Sequence, residues 1–91
     1  MILPEGQLDA LVMLLRSFGA KRVLLFGSYL SDASKARDLD IAVEGIPLTR
    51  LLDADAGAYA LLRQPLDLVS REEDPAFFDH VSIGAKVLYA A

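Results

Sequence analysis

The first half of the chain contains Val23-Leu24-Leu25-Phe26-Gly27-Ser28 and, after a short loop, Asp38-Leu39-Asp40-Ile41-Ala42-Val43. The first segment is an apolar run that ends in two small residues, which is typical of a buried strand that enters a tight turn. The second segment is also mostly apolar, but acidic side chains occupy its first positions. We therefore predict two strands, one followed by a glycine turn and the other beginning with paired carboxylates.

Helices and strands are predicted on both sides of these two segments. A helix after Pro4 is indicated by apolar residues at helical spacing, and Gly19 ends it. The further elements are a short helical turn and loop over Ser28–Lys35, a helix over Pro47–Arg63, a strand over Leu66–Val69, a helix from Pro75 to near Gly84 and an edge strand over Val87–Tyr89. The apolar residues predicted to face inward in the two later helices are Leu48, Leu51, Leu52, Ala58, Leu61, Leu62, Phe77, Phe78 and Val81. This order predicts a small sheet covered by helices.

Asp38 and Asp40 are two residues apart in the second predicted strand. Because side chains alternate across a strand, both carboxylates lie on one face, whereas Leu39 and Ile41 lie on the other. Two adjacent carboxylates repel each other unless a cation or solvent compensates their charge. Mg²⁺ prefers hard oxygen ligands of this kind. The pair therefore fits a magnesium site or, as an isolated feature, two solvated aspartates.

Asp67 favours a magnesium site over two solvated aspartates. It lies in a third apolar segment between Leu66 and Leu68, where packing gives no reason for a carboxylate. If this strand is adjacent to the second, Asp67 joins Asp38 and Asp40 in a cluster of three carboxylates. In such a cluster Asp67 is the candidate to assist deprotonation of an attacking hydroxyl. The alternative is a single polar residue on the solvent side of a strand.

Gly27 and Ser28 form the turn that follows the first strand. Glycine allows a ligand to approach the backbone closely, and the serine hydroxyl is a donor for a phosphate oxygen. The same dipeptide is also compatible with an ordinary turn in which Ser28 caps a helix. Together with the carboxylates, the turn indicates a metal-dependent enzyme that acts on nucleotides. His80 has no neighbour in sequence to pair with it and is expected to be a packed or surface residue.

The composition limits the other possibilities. A chain of 91 residues is predicted to form one domain, over residues 1–91. Its 54% hydrophobic content predicts either an apolar surface patch for a partner or a homo-oligomer, or scattered exposed apolar residues. The net charge of −4 argues against strong nucleic-acid binding. Cysteine is absent, and we find neither a signal peptide nor an apolar run long enough to span a membrane, so we expect a cytoplasmic protein.

Three motifs together resemble the minimal nucleotidyltransferases of the DNA polymerase beta superfamily: Phe26-Gly27-Ser28-Tyr29, Asp38-Leu39-Asp40-Ile41-Ala42-Val43 and Leu66-Asp67-Leu68-Val69. The resemblance implies an α+β fold with a small mixed β-sheet flanked by helices. It also implies that Asp38, Asp40 and Asp67 are catalytic and bind two Mg²⁺ ions. Gly27 and Ser28 would bind the nucleoside triphosphate.

The same resemblance implies a function. Similar proteins transfer AMP from ATP to a hydroxyl and act as antitoxins paired with HEPN-domain toxins. The chain departs from the family pattern at Asp32 and Arg37, which replace small residues in a slightly shorter spacer. Arg37 could contact a phosphate or pair with Asp32. The alternatives are a module of the same fold that neutralises a partner by contact, with weak or absent catalysis, and a structural domain without a nucleotide site.

Overall fold

The computed structural model describes residues 1–91, in which helices and strands alternate. The elements are α1 (Gln7–Ser17), β1 (Arg22–Phe26), α2 (Ser28–Ser31), a 3₁₀ turn (Ala33–Lys35), β2 (Leu39–Glu44), α3 (Leu48–Leu62), β3 (Leu66–Ser70), α4 (Pro75–Ser82) and β4 (Lys86–Ala90). All of the predicted helices and strands are therefore present, with boundaries that differ by a few residues. None of the helices combines the length and apolar character that a membrane crossing requires.

The four strands form one mixed sheet in the order β3-β2-β1-β4. β1 pairs antiparallel with β2 on one side and with β4 on the other. β2 and β3 run parallel, so the chain between them must cross over the sheet, and α3 is that crossover. β4 lies at an edge, as predicted. The two central strands, β1 and β2, are thus the ones that the apolar runs identified.

The two faces of the sheet are covered unequally. One face packs against α1 and α3 in a core of thirteen buried residues, which include Leu11, Leu15, Val23 and Ile41. The other face carries a smaller cluster of Leu24, Ala42 and Phe78, the last of which belongs to α4. Because one two-turn helix covers this second face, the part of it nearest the start of β2 stays accessible.

The face of α3 that packs on the sheet differs from our prediction. Ala54, Ala58 and Leu62 are its buried residues, whereas Leu48, Leu52 and Leu61 are exposed. α3 also packs closely against α1, and small residues allow this close approach. A Cβ atom added at Gly57 of α3 would lie 3.4 Å from the Leu14 side chain of α1. The prediction weighted large apolar residues and was wrong for these three leucines.

α4 begins as predicted but buries only part of its apolar surface. The Asp74 side chain caps the helix by accepting a hydrogen bond from the Phe77 N–H, and Pro75 lies in the first turn. Phe78 is fully buried, whereas Phe77 is exposed. Successive helical residues point about 100° apart, so these two rings cannot both face the sheet. The prediction that Phe77 faces inward was wrong.

The close α1–α3 contact makes a testable prediction about stability. Ala58→Leu adds three carbon atoms at a fully buried position, and we expect it to lower the free energy of unfolding by about 1–3 kcal/mol. Ala60→Leu is the matched control, because Ala60 is exposed on the same helix. Urea unfolding followed by circular dichroism measures both. Equal stability of the two variants would contradict the packing described for α3.

Candidate active site

Asp40 lies near the start of β2, in the middle of the sheet. On one side it is paired with Phe26, the last residue of β1, and on the other side with Asp67 of β3. Residues in register on neighbouring strands share a face, so Asp40 and Asp67 point to the same side of the sheet. The structure thus brings together two of the three carboxylates that the sequence grouped. This is the face that α4 covers only partly.

The Asp40 carboxyl group is affected by burial and by both neighbouring aspartates. Burial raises the pKa of the Asp40 carboxyl above its ordinary value, and the negative charges of Asp67 and Asp38 raise it further. A hydrogen bond that a protonated Asp40 carboxyl would donate to Asp67 also raises the pKa of Asp40. The backbone N–H of Ser28 opposes the shift. Asp40 is therefore a carboxylate whose negative charge the protein compensates poorly.

Gly27 lies directly against Asp40. A Cβ atom built on Gly27 would overlap the Asp40 carboxylate oxygen and would lie 2.9 Å from its Cγ atom. The backbone of Gly27 has φ 76° and ψ −158°, a region that essentially only glycine occupies. Two independent requirements therefore specify glycine here. The turn that the sequence proposed for phosphate binding is in contact with the carboxylate that it proposed for metal binding.

Asp38 is exposed and immediately precedes β2 rather than lying inside it. It is close enough to raise the pKa of Asp40, but no three acidic or histidine side chains are arranged so that they could hold a metal ion. Asp40 and Asp67 are the pair with the chemistry for a divalent cation, because they present uncompensated oxygen ligands on one face. The three-carboxylate magnesium site stays a prediction.

The structure shows which contacts the residues of the loop between Gly27 and Asp38 make, and phosphate binding by Ser28 and Arg37 stays a prediction. Ser28 is exposed in the first position of α2, and the N-cap is Gly27, so Ser28 is not the capping residue. The Asp32 carboxylate accepts hydrogen bonds from the backbone and hydroxyl of Ser34. Arg37 is exposed and forms no ion pair with Asp32 or another carboxylate.

Tyr29 is a residue of this loop whose role the sequence did not reveal. Its hydroxyl accepts a hydrogen bond of 3.2 Å from the Leu3 N–H, and its side chain packs against the larger core. This contact ties α2 to the segment that precedes α1. Its partner lies 26 residues away in the sequence, so no local pattern could have indicated it.

Comparison with known proteins adds to this geometry. No protein-family model and no curated protein matches the sequence. Solved structures of toxin–antitoxin complexes do resemble it. A chain of the MntA–HepT complex is 18% identical, with a TM-score of 0.73 over 97% of this chain and 74% of the matched chain. The fold is that of a minimal nucleotidyltransferase.

Two further complexes share this nucleotidyltransferase fold. A toxin–antitoxin structure with AMP-PNP is 21% identical, with a TM-score of 0.73 over 91% of this chain and 73% of the matched chain. The other is the complex of a tri-AMPylated Shewanella oneidensis HEPN toxin with MNT antitoxin. A chain of this complex is 21% identical, with a TM-score of 0.72 over 93% of this chain and 71% of the matched chain. The α+β nucleotidyltransferase fold predicted from the sequence is thus confirmed.

Proposed function

We propose that the protein is a Mg²⁺-dependent nucleotidyltransferase that transfers AMP from ATP to a hydroxyl of a HEPN-type partner protein, and that it acts as the antitoxin of this pair in the cytoplasm. The observation that carries the proposal is the pair of Asp40 and Asp67 carboxylates in register above the Gly27 turn. The similar complexes support it, since one contains AMP-PNP and another a tri-AMPylated HEPN toxin.

The residues present suit a divalent cation. Asp40 has a raised pKa because burial and neighbouring carboxylates disfavour its charge, and a cation would relieve that repulsion. Asp40 and Asp67 would hold the metal, and phosphate oxygens of ATP and water would complete its coordination. Bound Mg²⁺ would supply activation of the attacking hydroxyl and neutralisation of the phosphate charge.

In this proposal Asp67, Ser28 and Gly27 each contribute to the reaction in a different way. Asp67 accepts the proton of the acceptor hydroxyl as its oxygen bonds to the α-phosphorus of ATP and the bond to the β-phosphate oxygen breaks, which releases pyrophosphate. Ser28 presents an exposed hydroxyl that donates to a phosphate oxygen. Gly27 keeps the space above Asp40 open, because a side chain there would overlap the carboxylate.

Transfer of label from ATP to the partner tests the proposal. The protein is incubated with Mg²⁺ and a candidate HEPN-domain partner protein, using ATP labelled at the α- or the γ-phosphate. We expect the partner to acquire the α-label and not the γ-label, because the γ-phosphate leaves with pyrophosphate. Removal of Mg²⁺ with a chelator is expected to abolish the transfer. Transfer of the γ-label would instead indicate a kinase and would contradict the proposal.

A second candidate function is neutralisation of the partner by contact alone. It is favoured by the exposed position of Asp38 and by the lack of a completed group of three metal ligands. This candidate predicts a bound and inhibited partner that carries no label. A purely structural domain predicts that Mg²⁺-ATP leaves unfolding unchanged, whereas a ligand at about 100 times its Kd adds about 2.7 kcal/mol to the stability.

A further inference from the structure

An open groove of about 460 Å³ lies between α2 and the C-terminal end of α4. Phe26 and Ala85 lie on the strand side of this α2–α4 groove, Leu30 lines it from α2, and His80 and Ile83 line it from α4 and the residue that follows. The volume lies within the range of about 300–1,000 Å³ that is typical of small-molecule sites.

The α2–α4 groove is continuous with the carboxylate pair. Phe26 is directly opposite Asp40 in the antiparallel β1–β2 pair, so the two side chains share a face with their Cβ atoms about 4.5–5.5 Å apart. Gly27 also belongs to both places, since it lines the groove and lies against Asp40. A molecule whose phosphates lie at Asp40 therefore has the groove as an adjoining space.

The chemistry of the groove suits a flat aromatic ring better than a phosphate. Its lining is mostly apolar and contains no lysine or arginine, whereas a polyphosphate requires compensating charge. His80 is the aromatic side chain on the α4 wall. Its imidazole ring stacks on Phe77 with centroids 6.3 Å apart and planes at 24°.

We infer that the α2–α4 groove binds the adenine ring of ATP, with His80 and Ile83 as its contacts on α4 and at the helix end. The inference rests on the proposed nucleotidyltransferase function, which supplies the nucleotide, and it adds residues that set the affinity for the base. It also gives the exposed Ile83 a ligand to contact. A segment of the acceptor protein is the other occupant that the groove could take.

Binding of Mg²⁺-ATP and of Mg²⁺-tripolyphosphate, measured by calorimetry, separates the base from the phosphates. We expect His80→Ala and Ile83→Ala each to weaken ATP binding about tenfold, as loss of base stacking does, and to leave tripolyphosphate binding unchanged. Leu52→Ala is the matched control, because Leu52 and Ile83 are both 82% exposed and Leu52 lies on α3. The control should bind both ligands as the unmodified protein does.

Three outcomes would overturn the inference. Unchanged ATP affinity in both variants excludes the base from the groove. An increased KM for the acceptor at unchanged ATP affinity assigns the groove to the acceptor segment. Equal loss of ATP and tripolyphosphate binding indicates damage to the phosphate region rather than to a base site. If the unmodified protein binds neither ligand, the proposed function itself is wrong. This result is distinct from the three above, which contradict only the assignment of the groove to the base.

Discussion

Gly27→Ala is expected to lower the free energy of unfolding by about 2–6 kcal/mol. The backbone conformation of Gly27 is one that alanine adopts only with strain of about 1–3 kcal/mol. The added methyl group also overlaps the Asp40 carboxylate, and insertion of a methyl group into a filled space costs a further 1–3 kcal/mol or so. Urea unfolding of the metal-free protein measures the change.

Gly84→Ala is the control that separates these two causes. Gly84 has the same φ of 76°, but a Cβ atom there would have no neighbour within 4 Å. This variant should therefore show backbone strain without the overlap, and should be clearly more stable than Gly27→Ala. If the two variants were equally stable, the close approach of Gly27 to Asp40 would be refuted.

The parts of the fold that follow from local patterns were predictable from the sequence. β1 and β2 are short apolar runs bounded by turn residues, and their shortness favours a strand over a buried helix. The proximity of Asp40 and Asp67 was also predictable. Packing does not explain a carboxylate in the middle of an apolar strand, so a shared site with other carboxylates was expected. The structure places the two residues in direct register.

The errors concern features that depend on tertiary packing. The leucines of α3 suggested a large apolar face, but the helix approaches α1 through Gly57 and alanines, and this leaves Leu48 and Leu52 exposed. The periodicity of a sequence shows which residues are apolar, but it does not show which side of the helix packs against a neighbouring helix. The α2–α4 groove could not be predicted either, because its walls come from segments about 50 residues apart.

Asp40→Asn is expected to have the largest effect on the proposed activity, a loss of about 10³-fold in AMP transfer. Asn keeps the shape of the side chain but removes the charge that would hold Mg²⁺ in the transition state, and loss of one such stabilising group reduces rates about 10²–10³-fold or more. Transfer of α-label to the partner measures the effect. Asp53→Asn is the matched control, since Asp53 is exposed on α3 and away from the site.

The same substitution is expected to stabilise the metal-free protein at neutral pH. The pKa of Asp40 is raised in the folded state by burial and by Asp67 and Asp38, so its ionised form opposes folding at pH values above that pKa. This opposition disappears as the pH falls through the raised pKa, where Asp40 takes up a proton and donates a hydrogen bond to Asp67. The Asn amide donates that hydrogen bond at every pH.

Asp40→Asn should therefore raise the Tm at neutral pH and change it little at acidic pH, whereas Asp53→Asn should show no such difference. A lower Tm for Asp40→Asn at neutral pH would mean that Asp40 is held by compensating contacts and is not a site kept ready for a cation.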